Sequence, residues 1–280
     1  MYVTAKRSGR RPLLVALLTG LGAVAADSVP ASRPASACLY LPPALEDRVV
    51  YYQSFEGDLR TPQLNRIGAE TAVTRGTAVP GVSGNGLQVT DGKDSGPLVL
   101  RSPALSPAKP LTISLWWRLD APMAAETCFH LLALRGRGMV ANFVRGRGEW
   151  CALQEPTYVF QVVYYEGIPD INGIWHGTVW TEPGQWHHVA MVFANAMEID
   201  VYWDGSRRSH YAIRGRSFVA ADGGSIEIGP NWLFHPMTVD EVLVIDRALT
   251  GDEIAAYVQA VRQLSAIGWP VFAPAGASPQ

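Results

Sequence analysis

One stretch limits what this chain can fold into more than any other: Gly184 to Arg208, GQWHHVAMVFANAMEIDVYWDGSRR. From Trp186 to Ala194 the residues alternate. His187, Val189, Met191 and Phe193 fall on one side, and Trp186, His188, Ala190, Val192 and Ala194 on the other, the pattern of a half-buried strand. Asn195-Ala196 breaks the run, and Glu198 to Trp203 alternates again with Ile199, Val201 and Trp203 on one face. Asp204-Gly205 then supplies the strongest short hairpin signal. Two hairpins in series make an antiparallel meander, which places the chain among all-β folds.

The rest of the chain extends this pattern. Leu111 to Leu119 alternates with Leu111, Ile113, Leu115, Trp117 and Leu119 on one face, so those five are expected in the core. Phe129 to Leu134, Met139 to Val144, Tyr158 to Tyr165, Tyr211 to Ile213, Ser225 to Ile228 and Thr238 to Ile245 read as further strands. Thr250-x-x-Glu253 forms a capping box, and Ile254, Tyr257, Val258 and Val261 follow at helical spacing, predicting a short carboxyl-terminal helix.

The amino terminus carries a different signal. Lys6, Arg7, Arg10 and Arg11 precede an apolar run from Leu13 to Val24 that ends in Ala23-Val24-Ala25, so residues 1–25 read as a secretory signal peptide, with an uncleaved amino-terminal anchor as the alternative. Residues 26–46 are a linker rich in Ala, Ser and Pro, 47–265 the sandwich domain, and 266–280 a disordered tail. Export places the mature chain outside the cell, in a periplasm or at the cell surface, and leaves it no transmembrane segment. Cys128 and Cys151 flank a Gly/Arg-rich segment and could close a disulfide worth about 2–4 kcal/mol in an oxidising compartment. Cys38, the third of three cysteines, is then free or differently paired.

Several stretches together resemble the LamG-like jelly-roll domains of the concanavalin A-like lectin/glucanase superfamily. Gly184-Gln185-Trp186-His187-His188-Val189-Ala190 followed by Val201-Tyr202-Trp203-Asp204-Gly205 is similar to the family's central hairpin. Leu111 to Arg118, Gly81 to Val89, and the closing Ile226-Glu227-Ile228-Gly229 with Val239-Asp240-Glu241-Val242 through Glu253-Ile254 agree with its other strands. Val49-Val50-Tyr51-Tyr52 and Ser54-Phe55-Glu56-Gly57 resemble the opening strand, whose role there is to pair with the closing one. The resemblance implies a two-sheet antiparallel β-sandwich, a jelly roll, with a short carboxyl-terminal helix. It also implies a structural Ca²⁺ where the opening and closing strands meet, held by the Asp240 side chain with Glu56 or backbone carbonyls near Phe55. The plainer role for Asp240 is to accept backbone hydrogen bonds at a turn.

Function is less constrained. A net charge of −2 gives no electrostatic reason to bind nucleic acid. Glu198, Asp200 and Asp204 resemble the E-x-D-x-x-x-E strand of laminarinase-type glycoside hydrolases, but Asp204 sits in a hairpin turn, where it cannot face a partner carboxylate across a cleft. Successive strand positions point His187 and His188 to opposite faces, against a shared metal. The expectation is therefore an exported, non-catalytic recognition or adhesion module for polysaccharide or glycoprotein glycan. The alternatives are a glycoside hydrolase or polysaccharide lyase on the same scaffold, and a structural cell-surface protein. Sugar-stacking candidates are Trp232, Trp175, Trp180, Tyr164 and Tyr165, with Asn231, Asn172 and Asp170 as hydroxyl partners. With nine Trp and ten Tyr, core aromatics are the competing explanation, and Trp232 serves equally as a buried loop anchor. Arg-Gly-Arg-Gly occurs twice, at 135–138 and 145–148, and reads either as hairpin turns with solvated arginines or as a patch for anions or uronates.

Overall fold

A computed structural model describes residues 45–266, apart from 46, 58, 74–75, 90–97, 106–108, 124–126, 136–138, 146–157, 165–174, 180, 196, 213–223 and 230–234. The chain divides into Met1–Pro34, which lies outside those residues, and Ala35–Gln280, which holds every element below.

Two antiparallel sheets stack face to face. The first is 9-stranded. Its main path runs through β14 (Ser206–Ala212), β13 (Glu198–Trp203), β12 (His187–Phe193), β7 (Leu111–Leu119), β16 (Met237–Ile245), β1 (Val49–Gln53) and β2 (Leu64–Asn65). β5 (Asn85–Val89) pairs with the far end of β16 and with β4 (Thr77–Pro80). The second sheet, 7-stranded, follows the order β11 (Trp175–Val179), β10 (Tyr158–Tyr164), β9 (Met139–Arg145), β8 (Thr127–Arg135), β15 (Gly224–Ile228), β6 (Leu98–Ser102) and β3 (Glu70–Val73). β1 lies beside β16, with Tyr51 opposite Val244 and Gln53 opposite Val242, so the opening strand meets the closing strand as the resemblance implied.

The period-2 alternation sorts side chains as the pleat requires. Leu111, Ile113, Leu115 and Trp117 join Val189, Met191, Phe193, Ile199, Val201 and Trp203 in the core between the sheets, against Leu98, Leu100, Leu132 and Ile226 of the second sheet. Asp204 and Gly205 close the β13–β14 hairpin with φ of 50° and 82°, the two left-handed positions of a type I′ turn. Gly205 is required twice over, because a Cβ there would stand 3.2 Å from the Ala255 Cα of the helix that packs on the turn.

That helix, α1 (Gly251–Ala266), changes one expectation. β12 reads as half-buried in sequence, yet all seven of its residues are buried. The reason is a second core on the outer face of the first sheet. Ile254, Tyr257, Val258, Val261 and Leu264 of α1 lie over Trp116, Ala190, Val192, Tyr202 and Leu243. The helix is thus a partial third layer rather than an appendage, and its start is fixed by the expected capping box: Glu253 N donates to Thr250 Oγ1 at 3.3 Å and Thr250 N to Glu253 Oε2 at 2.8 Å. No helix of the described residues is long and apolar enough to cross a membrane.

Candidate functional site

Three buried or half-buried carboxyl groups lie where β1, the β4–β5 turn and β16 converge. β16 bulges against β7 between Asp240 and Leu243, and Glu241 takes a φ of 52° to do so. Asp240 accepts from Val82 N at 2.9 Å, Ser83 N at 3.3 Å and Glu241 N at 2.8 Å. Glu241, 1% exposed, accepts from the Tyr52 hydroxyl at 2.5 Å. Glu56 accepts from Asn85 N at 2.7 Å and Asn85 Nδ2 at 3.4 Å. Gly84, with a φ of 57°, lies so close that a Cβ would collide with the Glu56 carboxylate.

Burial dominates the electrostatics. It raises Asp240 well above the usual carboxylate range, with the Glu241 and Glu56 charges adding to it against the backbone donors. Burial likewise lifts Glu241 to about 8, despite the Tyr52 hydroxyl, and Glu56 adds to the rise. Glu56 is raised by burial and held back by Asn85. Among the described residues none of the three pairs with an arginine or lysine, and Ser54 Oγ next to them is buried with no hydrogen-bond partner. The donors are all oxygen, the chemistry that Ca²⁺ selects. No three His, Cys, Asp or Glu side chains among the described residues converge on one ion position. An ion here would therefore take at most two carboxylates, the rest being backbone carbonyls. The plainer role expected of Asp240 is also present, since it anchors the β4–β5 turn.

The acidic strand is committed elsewhere. Glu198 accepts from Asn195 Nδ2 at 3.0 Å, and Asp200 lies 2.8 Å from His210 Nδ1 and 3.7 Å from Arg207. Asp204 binds His187 Nδ1 at 2.8 Å, His188 N at 3.0 Å and Arg262 at 3.0 Å. Burial alone would raise the Asp204 carboxyl, but those hydrogen bonds and the Arg262 charge hold it below its ordinary value. His187 stacks on Trp203 between the sheets at 4.7 Å, whereas His188 meets Trp116 and Tyr257 under the helix, so the pair does point to opposite faces.

Of the expected sugar-stacking set, Trp175 opens β11, the edge strand of the second sheet, opposite Val162, and Tyr164 closes β10 opposite Met139. Tyr165, Asp170, Asn172, Trp180, Asn231 and Trp232 lie outside the described residues. So do Cys38 and Cys151, while Cys128 takes a position in β8 opposite Val144. Tyr52, Asn85 and Glu241 did not figure among the candidates in sequence. The available signal was the acidic pair Asp240-Glu241 inside an otherwise apolar strand, which a buried strand tolerates only when its charges are held.

Two stacked antiparallel sheets, with first and last strands adjacent, define a jelly-roll sandwich. Residues 91–255 match the Laminin_G_3 family profile, described as the Concanavalin A-like lectin/glucanases superfamily, and the chain belongs to that family. No curated protein matches it in sequence. Among solved structures it is similar to the binding domain of Paraclostridial Mosquitocidal Protein 1, at TM-score 0.56 and 14% identity over 77% of this chain and 53% of that one. It is similar too to the binding domain of botulinum neurotoxin DC in complex with SialylT, at TM-score 0.55 and 10% identity over 77% and 52%. A third is a botulinum neurotoxin type C structure, whose cell entry depends on interaction with two ganglioside molecules, at TM-score 0.54 and 11% identity over 77% and 52%. The chain spans about half the length of these structures, and at such identities the likeness is one of fold.

Proposed function

We propose that this chain is an exported recognition module that binds polysaccharide or glycoprotein glycan without transforming it. The observation that carries the reading is the commitment of Glu198, Asp200 and Asp204. The carboxylates that a hydrolase of this superfamily would set on one strand are instead tied to Asn195, His210, Arg207, His187 and Arg262, and Asp204 is spent holding a turn. Support also comes from the structural neighbours, one a neurotoxin binding domain in complex with SialylT and another a neurotoxin whose cell entry depends on interaction with two ganglioside molecules. Trp232 and Asn231, with Trp175, Trp180, Tyr165 and Asn172, are the proposed ring-stacking and hydroxyl-binding residues, since aromatic faces and short amides suit sugar rings. A structural Ca²⁺ is proposed at Asp240 and Glu56, where hard oxygen donors meet without a neighbouring arginine or lysine among the described residues.

The test is a printed glycan array probed with the full chain and with Trp232→Ala. Binding to a defined glycan class that Trp232→Ala abolishes supports module and site together. Binding that survives the substitution discards Trp232, and turnover of an arrayed glycan into shorter products overturns the non-catalytic reading. Amino-terminal sequencing of the exported chain, expected to begin near residue 26, checks the signal peptide.

A further inference from the structure

A depression of about 450 Å³ opens where β3, β6 and β15 of the second sheet meet, within the size range of small-ligand sites. Two of its lining residues, Gly68 and Gly224, make the room. A Cβ at Gly224 would stand 2.5 Å from the carbonyl oxygen of Leu105, so glycine alone lets β15 start so close to the turn Pro103–Leu105. Gly68 takes a φ of 55° and has nothing within 4 Å of where a Cβ would be, which leaves that side open. Strand register then brings three polar side chains to the same place. Glu70 of β3 stands opposite Arg101 of β6, and Arg101 opposite Ser225 of β15, and all three line the depression. Leu98, Leu100, Ile226 and Ile228, at the alternate positions of β6 and β15, belong to the core, so Arg101 and Ser225 face away from it.

Opposite charges directly across an antiparallel pair ordinarily satisfy each other. Here they do not: among the described residues neither Glu70 nor Arg101 makes a side-chain hydrogen bond or ion pair, and the Ser225 hydroxyl is unengaged as well. Ser102 differs, since its hydroxyl donates to Ile67 O at 3.0 Å and accepts from Ala104 N at 3.2 Å and so holds the turn. A guanidinium, a carboxylate and a hydroxyl are thus left facing one open volume, and the two charges cancel.

We infer that this depression binds a neutral sugar unit, whose neighbouring hydroxyls donate to Glu70 and accept from Arg101 while Ser225 engages a third. A hydroxyl is donor and acceptor at once, so two adjacent ones satisfy both charged groups, each through a charge-assisted hydrogen bond. A ring bearing a carboxylate or an ammonium meets one attractive partner and one like charge, which leaves the neutral ring favoured over both. A ligand with full charges of both signs gains little, because Glu70 and Arg101 are exposed and exposed ion pairs are weak and screened. None of the residues lining the depression is aromatic, so the sugar is held by its hydroxyls rather than by stacking. The inference rests on the glycan-binding reading but uses a different place, the start of β15 rather than the sequence beyond its end that carries Trp232.

Isothermal titration of the full chain with neutral xylohexaose, mannohexaose and maltohexaose tests it, with tetragalacturonate, tetraglucosamine and γ-aminobutyrate as the anionic, cationic and doubly charged counterparts. At least one neutral sugar is expected to bind, roughly tenfold or more tighter than any of the charged probes, with Kd raised roughly tenfold in Arg101→Ala and in Glu70→Ala. Sodium chloride at about 0.5 M should leave that Kd within about twofold, since the ligand carries no charge to screen. Circular dichroism melts of each variant show that it is folded. Neutral-sugar binding untouched by either substitution, or tighter binding of any charged probe, overturns the site and leaves the glycan reading standing. Silence towards all three neutral sugars also overturns the site, and silence across the whole glycan array overturns the glycan reading with it.

Discussion

Tyr52, on the first strand, donates its hydroxyl to the buried carboxylate of Glu241, 189 positions later on the last strand, over 2.5 Å. This contact ties the two ends of the sandwich through side chains as well as through the β1–β16 ladder. Its removal leaves a buried acceptor in a dry site with one donor fewer. Tyr52→Phe is therefore expected to cost about 1–3 kcal/mol, the penalty for a stranded buried acceptor rather than the net worth of one hydrogen bond. Urea unfolding followed by tryptophan fluorescence measures it. An unchanged midpoint would mean that Glu241 is satisfied without Tyr52.

The neighbouring charges make a second expectation. Burial raises Asp240, Glu241 and Glu56, the Glu56 charge adds to the rise of the other two and the Glu241 charge to that of Asp240, and a cation between them relieves burial and repulsion together. A ligand that binds only the folded state adds about 2.7 kcal/mol at a hundredfold excess over its Kd. Millimolar Ca²⁺ should therefore raise the Tm of the chain by several degrees and EDTA should reverse it, while Asp240→Asn should abolish the response. A Tm indifferent to both reagents removes calcium and leaves Asp240 as the anchor of the β4–β5 turn.

Legibility from sequence followed the range of the interactions. The Asp204-Gly205 turn, the Thr250 capping box and the inward set Leu111, Ile113, Leu115 and Trp117 are local, fixed by dihedral demand or by period, and each was readable. β12 reads as half-buried because what covers His188, Ala190 and Val192 is a helix about sixty residues further on, which the strand's own alternation does not encode. β11 is not legible from its pattern because WHGTV has Gly177 at its middle, which gives neither face a side chain and breaks the alternation. At the candidate sites, Asp240 and Glu56 were found by resemblance. Tyr52 and Asn85 were not, since they become partners only when three distant segments meet.

His188 sets an acid limit on stability. Burial pushes it down to about 3 from 6.5, the Asp204 charge opposing and the Arg262 charge assisting, and its Nε2 lies 2.7 Å from the buried Ser114 Oγ. The folded state thus binds this proton more weakly than the unfolded chain. The contribution is complete above pH 6.5 and is lost as pH falls from there towards 3, by on the order of several kcal/mol. Glu241, raised to about 8, slopes the other way between its ordinary 4.5 and that value, so the comparison must be between variants. His188→Gln should flatten the loss of stability between about pH 6 and 4 relative to wild type. Parallel pH profiles for the two proteins would show that His188 takes up its proton without opening the layer under α1.

Asp204 joins three elements, and its partners differ in worth. His187 and His188 N belong to β12 and are largely shielded, whereas Arg262 reaches over from α1 with half of its side chain exposed. Exposed ion pairs contribute about 0–1 kcal/mol, while stranding shielded donors costs about 1–3 kcal/mol. Asp204→Asn tolerates the left-handed backbone but removes the charge and one acceptor, so it should destabilise by about 1–3 kcal/mol, against about 0.5 kcal/mol or less for Arg262→Ala. Equal losses in urea unfolding would mean that the turn is held by the helix rather than by β12, and would move the organising contact of this end of the sandwich from the inner sheet to the outer layer.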